Sequence, residues 1–250
     1  MKLFNHIESV ILNRDFKKLQ SKAKISLEDC ISLAMKFPFC HRTHKDKVES
    51  IISKGLLSHK DLKEVKGNTW YLDKLFKKDE KIFFSYGPSN IVLGDIIFIM
   101  TYDTVKNLNC KIQAKDLADI WDIDMGMLHK GSGFQEISKD NVQLKNLKKL
   151  KSSMDRKTFS LEEFYRIMGT LMLRFAAQKN ISNTTELAKR FFNYKKFIGA
   201  QIELQINERI DISDVDYVYS STQFEWPEPL KSKTINFFPS GENIDKVLKL

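Results

Sequence analysis

Apolar residues along this chain switch between a helical spacing of three to four residues and a strand spacing of two, and the switches divide it into predicted elements. Leu3, Phe4, Ile7, Val10 and Ile11 form one helical stripe, and Leu27, Ile31, Ala34 and Met35 form a second. Ser26-Leu-Glu-Asp29 precedes the second stripe as a capping start, and Pro38 ends it. Residues 2–36 therefore predict two helices. A strand follows over 39–43, then a short helix over 46–53 that closes on Gly55-Leu56-Leu57. Two further strands are predicted at 81–86 and 94–102, the second rich in β-branched and aromatic residues and free of breakers.

The second half repeats the alternation. Ser160-Leu-Glu-Glu163 opens a helix with Leu161, Phe164, Met168, Leu171, Met172 and Phe175 on one side. Leu187, Phe191, Tyr194 and Ile198 mark another. The spacing then returns to strand over 200–206 and again at the end of 210–219, and residues 243–250 read as a short helix. Residues 58–80 are polar and Lys-rich around an apolar Trp70-Tyr71-Leu72 island and read as a loop or lid. Residues 112–135 carry no clear period and are punctuated by Gly126, Gly131 and Gly133. The mixture predicts an α+β fold in one domain spanning residues 1–250, with a helical extension over 1–36 and a helical insertion over 144–198.

Composition narrows the function classes. The chain has 250 residues, 42% of them hydrophobic, which suits one domain with a proper core. Its 41 Lys and Arg exceed 32 Asp and Glu, a net charge of +9 that fits an anionic partner such as nucleic acid and equally a Lys-rich solvated surface. The basic run at 145–153 has the same two readings. Cys30, Cys40 and Cys110 form no CxxC pair, and the five histidines form no HExxH group, so neither a disulfide framework nor a zinc site is expected. No apolar run reaches the length needed to cross a bilayer, and the N-terminal residues lack a signal-peptide core, which predicts a cytoplasmic protein without a membrane partner. GxGxxG, GxxxxGK[ST] and GxSxG are all missing, which argues against Rossmann, P-loop and nucleophile-elbow chemistry.

Three short blocks remain. The first is His41-Arg42-Thr43 with the Gly-Leu turn. The second is Ile82-Phe-Phe-Ser-Tyr86 with Gly87-Pro88 and the strand after it. The third is Glu203-Leu-Gln-Ile-Asn207, followed by Ile210-Asp-Ile-Ser-Asp-Val-Asp-Tyr-Val218 with its acidic turn Ile212-Ser-Asp-Val215. On a strand, His41 and Thr43 share one face, and Gln201, Glu203 and Gln205 share another. A solvent-facing strand glutamate would give the same pattern as a catalytic one. A rival Gln-x-Glu, Gln223-Phe-Glu225, runs straight into Pro227 and Pro229 and makes a poor central strand.

The order of the blocks resembles the ADP-ribosyltransferase superfamily, and most closely its toxin-type members, including DarT-like enzymes that modify DNA. The resemblance covers residues 39–57, 81–102 and 199–218. It implies a split antiparallel β-sheet with helical N-terminal and inserted elements, and NAD⁺ as co-substrate. It implies a catalytic role for Glu203, with His41, Arg42 and Thr43 on the NAD⁺ side of the pocket. Phe83 stands where some members carry a tyrosine, with Ser85 beside it and Tyr86 as the nearest hydroxyl. Gln201 or Gln205 would select the acceptor, and Trp70 and Tyr71 would stack on an acceptor base. The implied activity is transfer of ADP-ribose to RNA or DNA, as a bacterial toxin or antiphage effector with an antitoxin as a partner. A protein-modifying transferase and a non-catalytic basic nucleic-acid-binding module remain as alternatives.

Overall fold

A computed structural model describes residues 16–58, 60–62, 80–87, 94–113, 152, 158–192, 202–239 and 241–250. The strands are β1 (Phe39–Thr43), β2 (Ile82–Tyr86), β3 (Ile96–Met100), β4 (Cys110–Gln113), β5 (Thr158–Phe159), β6 (Glu203–Ile206) and β7 (Tyr217–Ser220). They form one seven-stranded sheet in the order β5-β4-β6-β2-β1-β3-β7, with every neighbouring pair antiparallel. The helices are α1 (Phe16–Ala23), α2 (Leu27–Met35), α3 (Val48–Lys54), α4 (Tyr102–Val105), α5 (Leu161–Lys179), α6 (Thr184–Phe192) and α7 (Ile244–Val247). The fold is α+β, as the alternating periods predict.

Period-2 burial assigns the two faces. Phe39, Ile82, Phe84, Ile96, Phe98, Ile112, Leu204 and Ile206 project into the main core with α2 and α5. The opposite face divides in two. Under β1, β3 and β7 it is apolar, where Cys40, Ile97 and Ile99 pack with Tyr217, Tyr219, Ile235 and Phe238. Under β2, β6 and β4 it carries Ser85, Glu203, Gln205 and Gln113. Being covered on both faces explains why all of β3 is buried.

The two capping starts expected from the sequence are formed. In α2, the Ser26 hydroxyl accepts from Asp29 N–H at 2.9 Å and the Asp29 carboxylate accepts from Ser26 N–H at 3.2 Å. In α5, Ser160 and Glu163 make the same exchange, at 3.2 and 2.9 Å. The Glu163 carboxyl is held below its usual range, first by the Ser160 backbone N–H and then by its hydroxyl. A folded pKa below the unfolded one gives stabilisation that is complete above the carboxylate range and lost as pH falls through the folded value. Ser160→Ala is expected to cost about 1 kcal/mol at neutral pH in urea unfolding. That difference should shrink below roughly pH 4.

Some boundaries differ from expectation. β3 is shorter than 94–102 because Tyr102 already begins α4, and β6 starts at Glu203. β4 and β5 were not expected; β5 comes from the 144–198 span, so that span feeds the sheet as well as the helical layer. The 3–11 stripe, the 145–153 run apart from Ser152, and Tyr194 and Ile198 lie outside the described residues.

Candidate functional site

The three sequence blocks fall on three adjacent strands, β1, β2 and β6. In register, Cys40 faces Ser85, Ser85 faces Glu203, and Glu203 faces Gln113, so one row of side chains crosses four strands on one face. The Gly-Leu turn of the first block is tied to the third. Leu56 N–H donates to the Ile210 carbonyl at 2.8 Å and Ile210 N–H donates to the Leu56 carbonyl at 3.2 Å. Gly55 permits this approach: its φ is +76°, and a Cβ there would sit 2.6 Å from the Ile210 oxygen.

The seam between β1 and β2 is short. β1 keeps five registered pairs with β3 but only two with β2, ending at Cys40–Ser85. Where the ladder stops, the His41 ring takes over: Nδ1 lies 2.7 Å from the Phe83 carbonyl oxygen. A carbonyl only accepts, so Nδ1 carries a proton and donates to it. The ring also packs at 5.3 Å from Phe84.

Strand alternation separates the candidate residues. Arg42, Phe83, Ser85 and Glu203 belong to the polar face, whereas His41 and Thr43 belong to the helix-covered face, opposite Phe98 and Ile96. A ligand touching both His41 and Glu203 has to straddle the open end of the β1–β2 seam. Glu203 is partly exposed at the start of β6. Arg42 marks the border with the apolar half, its guanidinium 5.4 Å from the Phe238 ring centroid, and burial pulls its pKa down. Burial pushes the Cys40 thiol up to about 12, against the opposing charge of Arg42, so it stays a neutral thiol and not a nucleophile.

Two expected pocket residues are engaged elsewhere. Tyr86 is buried on the helix side among Phe39, Phe164 and Tyr165, and its hydroxyl donates to the Ala34 carbonyl at 2.6 Å. Its even position on β2, with Ile82 and Phe84, puts it on the core face, away from Ser85 and Glu203. Tyr86→Phe is expected to lower stability by about 1 kcal/mol in thermal unfolding, with no effect on any Glu203-dependent activity. Gln205 is buried and engaged at both ends of its carboxamide, by Lys81 and by Gln113. That makes it part of the sheet's packing, not a surface for an acceptor. Gln201, Trp70 and Tyr71 lie outside the described residues. The rival pair Gln223 and Glu225 is exposed, in the non-strand segment after β7.

The acidic stretch after β6 is architectural. Residues Ile212–Asp214 form a 3-10 turn, and the Lys233 ammonium donates to the Ser213 carbonyl at 2.8 Å. Asp216, just beyond, accepts from Thr101 N–H at 2.6 Å, the Thr101 hydroxyl at 2.9 Å and the Thr104 hydroxyl at 2.8 Å, anchoring the start of α4. Sequence reasoning missed Gln113 as a neighbour of the site, because a four-residue strand leaves too little periodicity to place it.

Among the described residues no group of three or more His, Cys, Asp or Glu could hold a metal ion, and no helix is long and apolar enough to cross a membrane. No protein-family model matches the chain, and no curated protein is significantly similar to it.

Proposed function

We propose that this chain is an NAD⁺-dependent ADP-ribosyltransferase of the type its three sequence blocks resemble, acting on a nucleic-acid base. One observation carries the reading. Strands β2 and β6, from the second and third blocks, lie more than a hundred residues apart in sequence yet are adjacent, with Glu203 in register with Ser85, and the β1–β2 ladder ends beside them where His41 bridges to Phe83. The sheet is continuous across this seam, and its shortened ladder is the feature that supports the split the resemblance implies.

Chemically, the bond between ribose C1′ and the nicotinamide nitrogen breaks, and its electron pair leaves with nicotinamide. The ribose becomes oxocarbenium-like, as in glycoside cleavage. Glu203 would accept a hydrogen bond from the ribose 2′-hydroxyl and stabilise the developing positive charge. An acceptor nitrogen or oxygen then bonds to C1′ and loses its proton. Arg42, two residues along β1 from the Cys40–Ser85 pair, would supply a cation for the pyrophosphate, and His41 would offer its ring to a ribose hydroxyl. The net charge of +9 favours a polyanionic acceptor, whose base would have to be unpaired or flipped to reach the site. A role as a bacterial toxin or antiphage effector controlled by an antitoxin follows from the resemblance alone.

The test is incubation with labelled NAD⁺ and bacterial lysate, with the product divided between nuclease and protease digestion. Glu203-dependent label released by nuclease supports the reading. Label released only by protease moves the acceptor to a protein side chain. Absence of Glu203-dependent label in both fractions, together with salt-sensitive binding to single-stranded nucleic acid, would leave a binding module in its place.

A further inference from the structure

The outer face of α1 is charged against its own helix. Residues 16–25, Phe-Lys-Lys-Leu-Gln-Ser-Lys-Ala-Lys-Ile, hold four lysines and no acidic residue. All four, Lys17, Lys18, Lys22 and Lys24, are exposed. At helical spacing Lys17, Lys18 and Lys22 spread over the outer side of α1, while Leu19 and Ala23 pack into the core.

Helix electrostatics opposes this arrangement. The N-terminal end of a helix is its positive pole, yet α1 places Lys17 and Lys18 in its first turn with no acid there. In α2 and α5 the first turns are acidic, with Glu28 and Asp29 in one and Glu162 and Glu163 in the other. Lys18 and Lys22 stand four residues apart, so two like charges are neighbours on the helix surface. Lys24 takes a left-handed φ of +55°, a position usually left to Gly or Asn. Among the described residues none of the four makes an ion pair, whereas Lys106, Lys189 and Lys231 are paired with Asp103, Asp245 and Glu228. Local rules broken together, with nothing nearby to offset them, mark a functional surface.

We propose that the exposed face of α1 binds the sugar-phosphate backbone of a single-stranded nucleic acid through Lys17, Lys18, Lys22 and Lys24. The choice of this polyanion rests on the acceptor named under the proposed function. Lysines on a solvated ridge neutralise phosphates and release their counterions, which gives affinity without reading sequence. Leu19 and Ala23 pin α1 to the core beside α5, so the backbone that carries the lysines is ordered before the ligand arrives. The same packing takes up the apolar side of the helix and leaves none for a lipid surface. A strand held by its phosphates on α1 keeps its bases free for the site at Glu203.

The test follows binding of fluorescein-labelled oligothymidylate and oligouridylate by anisotropy across a salt series. The variant is Lys17→Gln/Lys18→Gln/Lys22→Gln, in which Gln keeps the helix propensity of Lys and the melting temperature is expected to hold. The control is Lys106→Gln/Lys189→Gln/Lys231→Gln, which removes the same charge from ion-paired sites. The α1 variant is expected to bind about ten- to a hundredfold more weakly near ~0.1 M salt, and its slope of log K against log salt to shrink by about two, roughly 0.7 for each lysine lost. The control is expected to keep the wild-type slope, and nicotinamide release from NAD⁺ without oligonucleotide to be the same in all three proteins. A wild type that binds neither oligonucleotide, an α1 variant with the wild-type slope, or a control that loses as much would overturn the proposal and leave α1 a solvated face. Equal competition by poly-glutamate at matched charge would overturn it in favour of an acidic protein partner. If the slope shrinks as expected while even the wild type releases no nicotinamide, the binding face stands and the transferase reading fails.

Discussion

On the proposed transferase reading, Glu203→Gln is expected to reduce NAD⁺-dependent transfer at least about a hundredfold while leaving the melting temperature essentially unchanged. The substitution keeps the shape of the side chain and an acceptor oxygen, and removes only the charge. In the ground state NAD⁺ has little positive charge at C1′ for a carboxylate to attract. In the transition state it has much more, so the loss falls on kcat and not on NAD⁺ binding. The fold has little to lose, because Glu203 is partly exposed at the first position of β6 and the core contacts of that strand come from Leu204 and Ile206. Changes at such positions stay within about 0.5 kcal/mol. Nicotinamide release and a thermal melt on the same preparation check both halves. A variant that keeps near-wild-type turnover would remove Glu203 from the mechanism.

Gly94→Ala is expected to be the most damaging single methyl group in the first half of the sheet. Gly94 has φ +90°, a conformation that costs an L-residue about 1–3 kcal/mol. A Cβ there would also lie 2.2 Å from the Thr43 carbonyl oxygen and 2.6 Å from its carbon. Both belong to backbone held by the Thr43–Ile96 pairing, so the neighbour cannot move aside without opening the β1–β3 ladder. A loss of at least about 3 kcal/mol follows, or roughly 6–12 °C in melting temperature. A melt within two or three degrees of wild type would mean that the turn before β3 can rearrange.

The strands that were legible in the sequence are those with enough residues to display a period. β1 lies where the sequence predicts it, at 39–43, because Pro38 closes the preceding helix and Phe39 and Cys40 are buried on opposite faces. β3 was readable as an apolar run, but its ends were not. They depend on Gly94 meeting Thr43 and on Asp216 anchoring Thr101, contacts that reach across 51 and 115 positions of the sequence. β4 and β5 are four and two residues long, too short for alternation to register. At the site, the face of Glu203 could be read from Leu204 and Ile206. The period that places Ser85 beside it also turns Tyr86 away, and that was available in the sequence. The burial of Gln205 was not, because it depends on a partner 92 positions earlier, in a segment without its own signal.

The insertion of β6 between β4 and β2 bears on how the chain is made. β2 ends at residue 86 and β4 at residue 113, yet the strand that joins them begins at residue 203. At ribosomal rates, synthesis takes on the order of ten seconds to pass from β2 to β6. Until β6 emerges, β2 and then β4 each present an unpaired edge, the kind of surface that invites intermolecular pairing. The carboxylate and the strand that joins β4 to β2 then emerge together, since Glu203 is the first residue of β6. A nascent chain halted before that point lacks Glu203 and the strand that links β4 to β2 at once, so a truncated product would be an aggregation hazard.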